Sequence, residues 1–431
     1  MSPQNKKPAQ SLRILDWLHP GLGIKRWIVL LLVGVTVLGV GLSFALVEIY
    51  TGGGYLPPLL NTLTLQFVPR YIGAVGLGVL GTSAISYALV RLTSGLVAPL
   101  VPAGRSMVKI VAERRRKNRG PKLVVIGGGT GMASLLRGIK YHTSNVTAIV
   151  TVADDGGSSG RLRRSLGILP PGDFRDCLAA LADDEALITQ LFRYRFGGDG
   201  ELAGHSFGNL FILAMAEVSG SFESALLESS RVMNVKGRVM PSTLHDVTLC
   251  AEVRGSDNEL AKQVSGESSI PETVGNIERV YLEPENVYAY PGAVQAVLAA
   301  DMVVVGPGSL FTSILPSLLV SDLTAAIRSS QALKVYVCNV ATQPGETDGF
   351  SVSDHVRALD SHTDGKLFEF VIANRCQKGS LLPDMSWTTL DLGQNSTPDI
   401  ITADVVDDAY PWRHDSKKLA LALLGLLGKE C

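Results

Sequence analysis

From Ile28 to Val47 the chain reads IVLLLVGVTVLGVGLSFALV, and from Ile72 to Val90 it reads IGAVGLGVLGTSAISYALV, neither with a single charge. A helix rises about 1.5 Å per residue, so roughly 20 apolar residues cross a hydrocarbon layer about 30 Å thick. Two such runs in succession predict a transmembrane hairpin with helices over 28–47 and 72–90. A cleaved signal peptide would account for the first run alone, but the run exceeds the usual apolar core of such a peptide and a second follows at once. Lys6, Lys7, Arg13, Lys25 and Arg26 precede the first run; Arg91, Arg105, Lys109, Arg114, Arg115, Arg116, Lys117 and Arg119 follow the second; only Glu48 and Arg70 lie between. That bias predicts a cytoplasmic tail (1–27), an external loop (48–71) and a cytoplasmic basic linker (91–120) at the plasma membrane. Gly39 and Ser43 in one run, and Ala74, Gly78 and Thr82 in the other, recur at helical spacing and suit close packing, or are simply common membrane residues. The stretch Glu113–Gly120, ERRRKNRG, reads as a partner of anionic headgroups, or as stop-transfer charge that needs no ligand.

Past Gly120 the texture changes. Short apolar runs (Leu123–Ile126, Val146–Val152, Met302–Val305, Val335–Val337, Phe368–Ala373) alternate with helical stretches, and most end in loops rich in Gly, Ser or Thr. This pattern predicts an α/β fold over 121–431, a Rossmann-like doubly wound and mainly parallel sheet, with ligands gathering beyond the carboxyl ends of the strands. Ser206–Asn234 reads as helical, Met240–Val253 as an added strand, and Lys417–Leu427 as a terminal helix. A net charge of -1 argues against a general nucleic-acid binder. The five cysteines are scattered and never paired as CxxC, which fits reduced thiols rather than a disulfide frame or a zinc site.

The chemistry sits in the loops. GGGTGM (Gly127–Met132) joins a strand to a helix, where glycines let backbone amides approach a phosphate and the helix start favours negative charge. Met132 stands where the full dinucleotide fingerprint has its last glycine, so a tight structural turn is the other reading. Asp154 and Asp155 follow about 25 residues later, roughly where such folds place a ribose-binding acid. Ser158 and Ser159 then supply hydroxyls to a possible anion nest; the two aspartates would hold Mg²⁺ if the site takes one, and a capped turn explains the same residues without a ligand. PPGDFRD offers Asp173 and Arg175, as phosphate contacts or a helix-start ion pair. GHSFGNL places His205 and Asn209 four apart, on one face if that stretch is helical. GPGSLFTS (Gly306–Ser313) with Gly308 and Ser309 makes another strand-to-helix anion site, and NVATQPGET (Asn339–Thr347) closes a further strand. No serine triad can be ordered, and no cysteine has an activating partner, so no residue is assigned to covalent catalysis.

Taken together and in order, GGGTG, ADDGGSSGRLR, LPPGDFRD, HSFGNL, VGPGSLFTSILPSLL and NVATQPGET resemble the YvcK/CofD-like family, over essentially Pro121 to the C-terminus. The resemblance is closer to its YvcK or gluconeogenesis factor branch. That branch implies a regulatory protein binding UDP-N-acetylglucosamine, linked to cell-wall synthesis, cell shape and carbon metabolism, with cell-wall synthesis proteins and a second copy of the chain as candidate partners. The more distant branch implies a Mg²⁺-dependent 2-phospho-L-lactate transferase moving a phospholactyl group from a nucleotide donor. By resemblance, Gly128, Gly129, Thr130 and Gly131 meet the nucleotide sugar or its diphosphate, and Asp154, Asp155, Ser158 and Ser159 line the same crevice. His205, Asn209, Gly308, Ser309 and Thr342 are further contacts. The chain departs from the family at Asp176, where Asn is usual, which leaves the role of the GDFRD loop open.

Overall fold

The computed structural model describes residues 25–51, 70–97, 112, 115–183, 186–255, 261–391 and 398–428. The expectations for the N-terminal tail, the loop between the apolar runs and most of the basic linker lie outside these residues. The chain divides into two units, residues 1–112 and 113–431.

In the first unit, α1 (Lys25–Thr51) and α2 (Arg70–Val97) pack side by side. Both are long and apolar enough to cross a membrane. Their contact is lined by small residues, but not all of those expected. A Cβ on Gly81 would press on the backbone of Leu38 and Gly34, and one on Gly41 on the backbone at Gly78 and Ala74, whereas a Cβ on Gly39 meets nothing. Gly39 therefore faces away from the seam, and Gly34, Gly41 and Gly81 let the two backbones approach. Ser43 and Thr82 turn their hydroxyls back onto their own helices, at Gly39 O and Gly78 O.

The second unit is built on seven parallel strands: β1 (Leu123–Gly127), β2 (Val146–Val150), β3 (Arg238–Pro241), β7 (Met302–Val305), β8 (Leu333–Val337), β9 (Phe370–Asn374) and β10 (Asp399–Ala403), in the order β10-β9-β8-β7-β1-β2-β3. The central strands are buried on both faces, which is why they read as unbroken apolar runs rather than alternating ones. Leu123 is level with both Val146 and Met302, so the loops after β1, β2 and β7 leave the sheet on one edge. From β1 the chain winds outward through β2 and β3, then returns to β7 on the other side and winds through β8 to β10. The gap between β1 and β7 is thus the switch point where α/β sheets hold their ligands.

Two expectations are corrected. The stretch 206–234 is two helices, α7 (Phe207–Ser219) and α8 (Phe222–Val232). Gly220 ends the first in the left-handed region at φ +81°, and Ser221 caps the second by accepting from Ser224 N–H. The stretch 240–253 supplies strands to two different sheets: β3, and β4 (Thr248–Arg254) of a small antiparallel sheet β5-β4-β6, with β5 at Lys262–Ser265 and β6 at Asn276–Glu283.

The remaining helices are α3 (Gly129–Ile139), α4 (Gly157–Leu166), α5 (Gly172–Leu181), α6 (Ala186–Arg193), α9 (Pro291–Leu298), α10 (Leu315–Leu318), α11 (Ser321–Ser329), α12 (Val352–His362) and α13 (Ser416–Leu427). The terminal helix α13 packs on α3 through Gly138, where an added Cβ would overlap the Ser416 carbonyl. Gly138→Ala is therefore expected to push α13 off α3 and destabilise the second unit by about 1–3 kcal/mol, as overpacking does. Thermal denaturation should show a fall of several degrees, and an unchanged midpoint would mean that α13 does not dock as described.

Candidate functional site

The glycine loop after β1 is held open by its own backbone. Gly129 has φ +66°, which favours glycine. Gly131 leaves no room for a side chain: a Cβ there would lie 2.7 Å from Pro307 O and 3.2 Å from Gly308 N. The loops after β1 and β7 are thus in backbone contact at the switch point. Beside them a cleft of about 220 Å³ opens, lined from four loops: Gly128–Gly131 after β1, Pro307–Ser309 after β7, Asn339–Gln343 after β8, and Trp412–His414 from the segment between β10 and α13.

The lining is rich in amides and hydroxyls. The first-turn amides of α3 have no acceptor within the helix. Around them stand Thr130, Ser309, Ser313 and the carboxamides of Asn339 and Gln343. These last two are fixed: Asn339 Nδ2 donates to Gly308 O (2.8 Å) and to Gln343 Oε1 (3.0 Å), and Gln343 Nε2 donates to Ser309 Oγ (2.7 Å). Trp412 contributes an aromatic face and Arg413, which is exposed, a cation whose guanidinium lies 5.4 Å from the Tyr410 ring. His414 is buried, donates through Nε2 to Cys338 O, and is pushed down to about 4 by that burial, so it is neutral. Thr342 lines the cleft but its hydroxyl is engaged with Ser386.

Seven of the residues singled out in the sequence meet here: Gly128, Gly129, Thr130, Gly131, Gly308, Ser309 and Thr342. The other eight, Asp154, Asp155, Ser158, Ser159, Asp173, Arg175, His205 and Asn209, do not line this cleft. They form a second cluster, joined to the first where Gly129 N–H donates to Asp173 Oδ2 at 2.8 Å. Asp173 thus holds the glycine loop from behind, and the Gly129 amide has a partner inside the protein.

This second cluster is acidic. Asp154 Oδ1 accepts from Gly156 N–H, and Asp155 Oδ1 accepts from Ser268 N–H, which brings the tip of the small sheet onto the loop after β2. Burial, then the Asp154 charge, push Asp173 up to about 7; burial, then Asp154 and Asp155, push Glu267 up to about 8; and burial raises Asp154. Asp154 and Asp155 turn to different amides, and among the described residues no three His, Cys, Asp or Glu side chains are arranged to hold a metal ion.

Arg175 is tied down. Its Nε and Nη2 donate to both carboxylate oxygens of Asp176, and its Nη1 donates to Ser206 Oγ and Asn209 Oδ1, each at 3.0 Å. The acid that departs from the family pattern therefore pairs with the neighbouring arginine, and the guanidinium organises the start of α7. That helix begins at Phe207, so His205 precedes it, yet both expected residues still converge: Asn209 Nδ2 donates to Ser158 Oγ (3.1 Å), and Ser158 Oγ lies 2.9 Å from His205 Nδ1. Burial and the charges of Arg161 and Arg195 lower the His205 pKa, which favours the neutral ring, and Ser158 Oγ and Nδ1 share a hydrogen bond whose donor follows the tautomer. The spacing is that of a nucleophile and base, but Ser158 is only 5% exposed and lies off the cleft; it joins the α4 and α7 starts.

Asn339, Gln343, Trp412 and Arg413 were not singled out in the sequence. The first two lie inside a recognised motif. The last two follow β10, whose DIITA run gave no glycine-marked loop to draw attention to it.

Comparison with known proteins places this architecture. Residues 123–398 match the family described as 2-phospho-L-lactate transferase CofD. A protein from Nostoc sp. that carries the name gluconeogenesis factor provisionally is 47% identical over 370 residues, covering 83% of this chain and 78% of its own. The gluconeogenesis factor of Bacillus subtilis is 48% identical over 254 residues, 59% of this chain and 78% of its own. A crystal structure of a member of the UPF0052 family from Bacillus halodurans is similar at a TM-score of 0.64 and 40% identity, over 71% of this chain and 99% of that one. With the family match spanning residues 123–398 and a relative 47% identical over 83% of this chain, the chain belongs to the CofD family, alongside the gluconeogenesis factors.

Proposed function

We propose that the chain is a regulatory protein that binds a nucleotide sugar, UDP-N-acetylglucosamine by the family resemblance, in the cleft at the β1–β7 switch point, and that α1 and α2 tether it to the membrane with the soluble unit on the cytoplasmic side. The observation that carries the reading is the cleft's lining: first-turn amides of α3 beyond Gly129, fixed carboxamides, hydroxyls, one indole and one arginine, without a carboxylate. Diphosphates are held by amides and guanidinium groups, and sugars by hydroxyls and carboxamides. A nucleotide-sugar regulator on the membrane face would sit where wall precursors are consumed, which is how the link to cell-wall synthesis and cell shape enters this reading. Titration calorimetry with UDP-N-acetylglucosamine on the soluble unit tests it; an absence of binding would sink it.

Arg413 supplies the cleft's exposed cation. Arg413→Gln is expected to weaken binding about tenfold to a hundredfold, the worth of a charge-assisted hydrogen bond. Binding should also lose part of its salt dependence. Unchanged affinity in the same titration would place the diphosphate elsewhere.

The second reading is transfer of a phospholactyl group. It draws on the acidic cluster beside the cleft, where Asp173 sits near neutrality at the back of the glycine loop. Phosphoryl transfer needs chiefly positioning and charge neutralisation, and Mg²⁺ would then enter with the donor's own phosphates. Mass spectrometry after incubation with nucleotide donor, deazaflavin alcohol and Mg²⁺ tests this, and the lack of product would exclude it.

A further inference from the structure

At the N-terminal end of α1, Arg26 and Trp27 meet Tyr87 and Arg91 of α2. The Trp27 and Tyr87 rings stand edge to face, centroids 5.7 Å apart at 77°. The guanidinium carbon of Arg26 lies 4.9 Å from the indole centroid, and that of Arg91 lies 5.6 Å from the same centroid and 5.5 Å from that of Tyr87. Arg91 Nε also donates to the Tyr87 hydroxyl at 3.2 Å. Two full positive charges, one from each helix, therefore share a single indole.

Stacking a guanidinium on an exposed ring contributes about 0.5–1 kcal/mol. Two like charges gathered on one ring repel each other, more strongly where the dielectric falls, and the last-turn carbonyls of α2, which ends at Val97, offset only part of that repulsion. α2 contains no carboxylate, and Glu48, the single one in α1, stands 22 residues beyond Arg26 (48 − 26), about 33 Å along the helix at its ordinary rise. The first-turn amides of α1 add further positive potential at the same end. Among the described residues of the two helices no carboxylate stands at this end, and the paired guanidinium groups suit an anion.

Its position says which anion. The apolar run of α1 starts directly after Trp27. Trp and Tyr at such a boundary belong at headgroup depth, and planar guanidinium forks fit phosphate oxygens in pairs. We propose that Arg26 and Arg91, seated on Trp27 and Tyr87, form a site for the phosphate of an anionic phospholipid, which bridges the two helices and fixes their depth in the leaflet. The site rests on the tethering reading above.

The test uses the full chain reconstituted in bilayers of phosphatidylcholine with a minority of phosphatidylglycerol, extracted gently, with the co-purifying lipid identified by mass spectrometry. Wild type is expected to retain phosphatidylglycerol several-fold above its share. Arg26→Gln with Arg91→Gln should lose that preference, Arg26→Lys with Arg91→Lys should keep only part of it, and Arg357→Gln, at an exposed ion pair with Asp354 in the second unit, should keep all of it. Nucleotide-sugar binding by each variant reports that the soluble unit is folded. An equal preference in wild type and the double glutamine variant overturns the site. Loss of the retained lipid to excess inorganic phosphate overturns the lipid as its occupant. Release of the chain from membranes by alkaline carbonate overturns the tether and the site together, whereas a chain that stays in the membrane without the preference overturns the site alone.

Discussion

Gly131→Ala is expected to abolish detectable nucleotide-sugar binding, a loss of at least a hundredfold, while leaving the sheet folded. The added methyl would enter a space bounded by backbone atoms, Pro307 O at 2.7 Å, Pro307 C at 3.0 Å and Gly308 N at 3.2 Å. None is the end of a flexible side chain, so relief requires the loops after β1 and β7 to part. Such overpacking costs about 1–3 kcal/mol of stability. Its larger effect falls on the cleft, because the same two loops carry the first-turn amides and Ser309, and a site that works by pointing several donors at one anion tolerates little misplacement. Gly425→Ala is the matching control. A Cβ on Gly425 meets nothing, so alanine there should leave binding unchanged and add a few tenths to about 1 kcal/mol through helix propensity. The measurement is calorimetric titration beside circular dichroism, and wild-type affinity in Gly131→Ala would show that the seam between these loops does not shape the ligand site.

The glycine loop was legible because close backbone approach leaves a residue signature: nothing but glycine fits at 131. The buried parallel strands were legible for a similar reason, since burial on both faces removes alternation and leaves runs such as Val303–Val305. Legibility failed where function depends on chain segments far apart. Asp399–Ala403 is an edge strand of intermediate burial, so its pattern is weak. With it went the inference that the following loop, bearing Trp412 and Arg413, would emerge on the ligand edge. The split of the expected site into a cleft and an acidic cluster was also hidden. Motif order says that loops share an edge, but whether Ser159 and Thr130 share a hollow depends on where Asp173 sits, and that is a tertiary fact. Likewise PPGDFRD leaves Arg175 open between a phosphate contact and a helix-start ion pair, and only the fold shows it engaged by Asp176, Ser206 and Asn209.

Asp173→Asn is expected to stabilise the soluble unit at pH 8 and to change little at pH 4. Burial first, then the charge of Asp154, raise the Asp173 carboxyl from 3.8 to about 7, against the opposing pull of the Gly129 N–H and Arg175. Between those values the native chain holds a proton that the unfolded chain has released. Stability therefore falls as pH rises through the window from about 4 to about 7, because the native state binds the extra proton. At full burial a shift of three units (7 − 3.8) corresponds to about 4 kcal/mol. The residue is partly exposed, so solvent screening reduces this, and an effect on the order of 2 kcal/mol is the reasonable expectation. Asparagine has nearly the same shape, can still accept from Gly129 N–H through its carbonyl oxygen, and does not titrate. Removing this charge also relieves Glu267, whose carboxyl is raised by burial first and in part by Asp173. Thermal midpoints measured from pH 4 to pH 8 should thus fall less steeply in the variant than in wild type, with the curves meeting at the acid end. A phosphate arriving at the glycine loop would meet one negative charge fewer, so UDP-N-acetylglucosamine should bind the variant more tightly at pH 8 than at pH 5 relative to wild type. Parallel pH profiles for the two proteins would mean that Asp173 is ionised in the fold throughout, and that the glycine loop is backed by a permanent carboxylate rather than by one that takes up a proton.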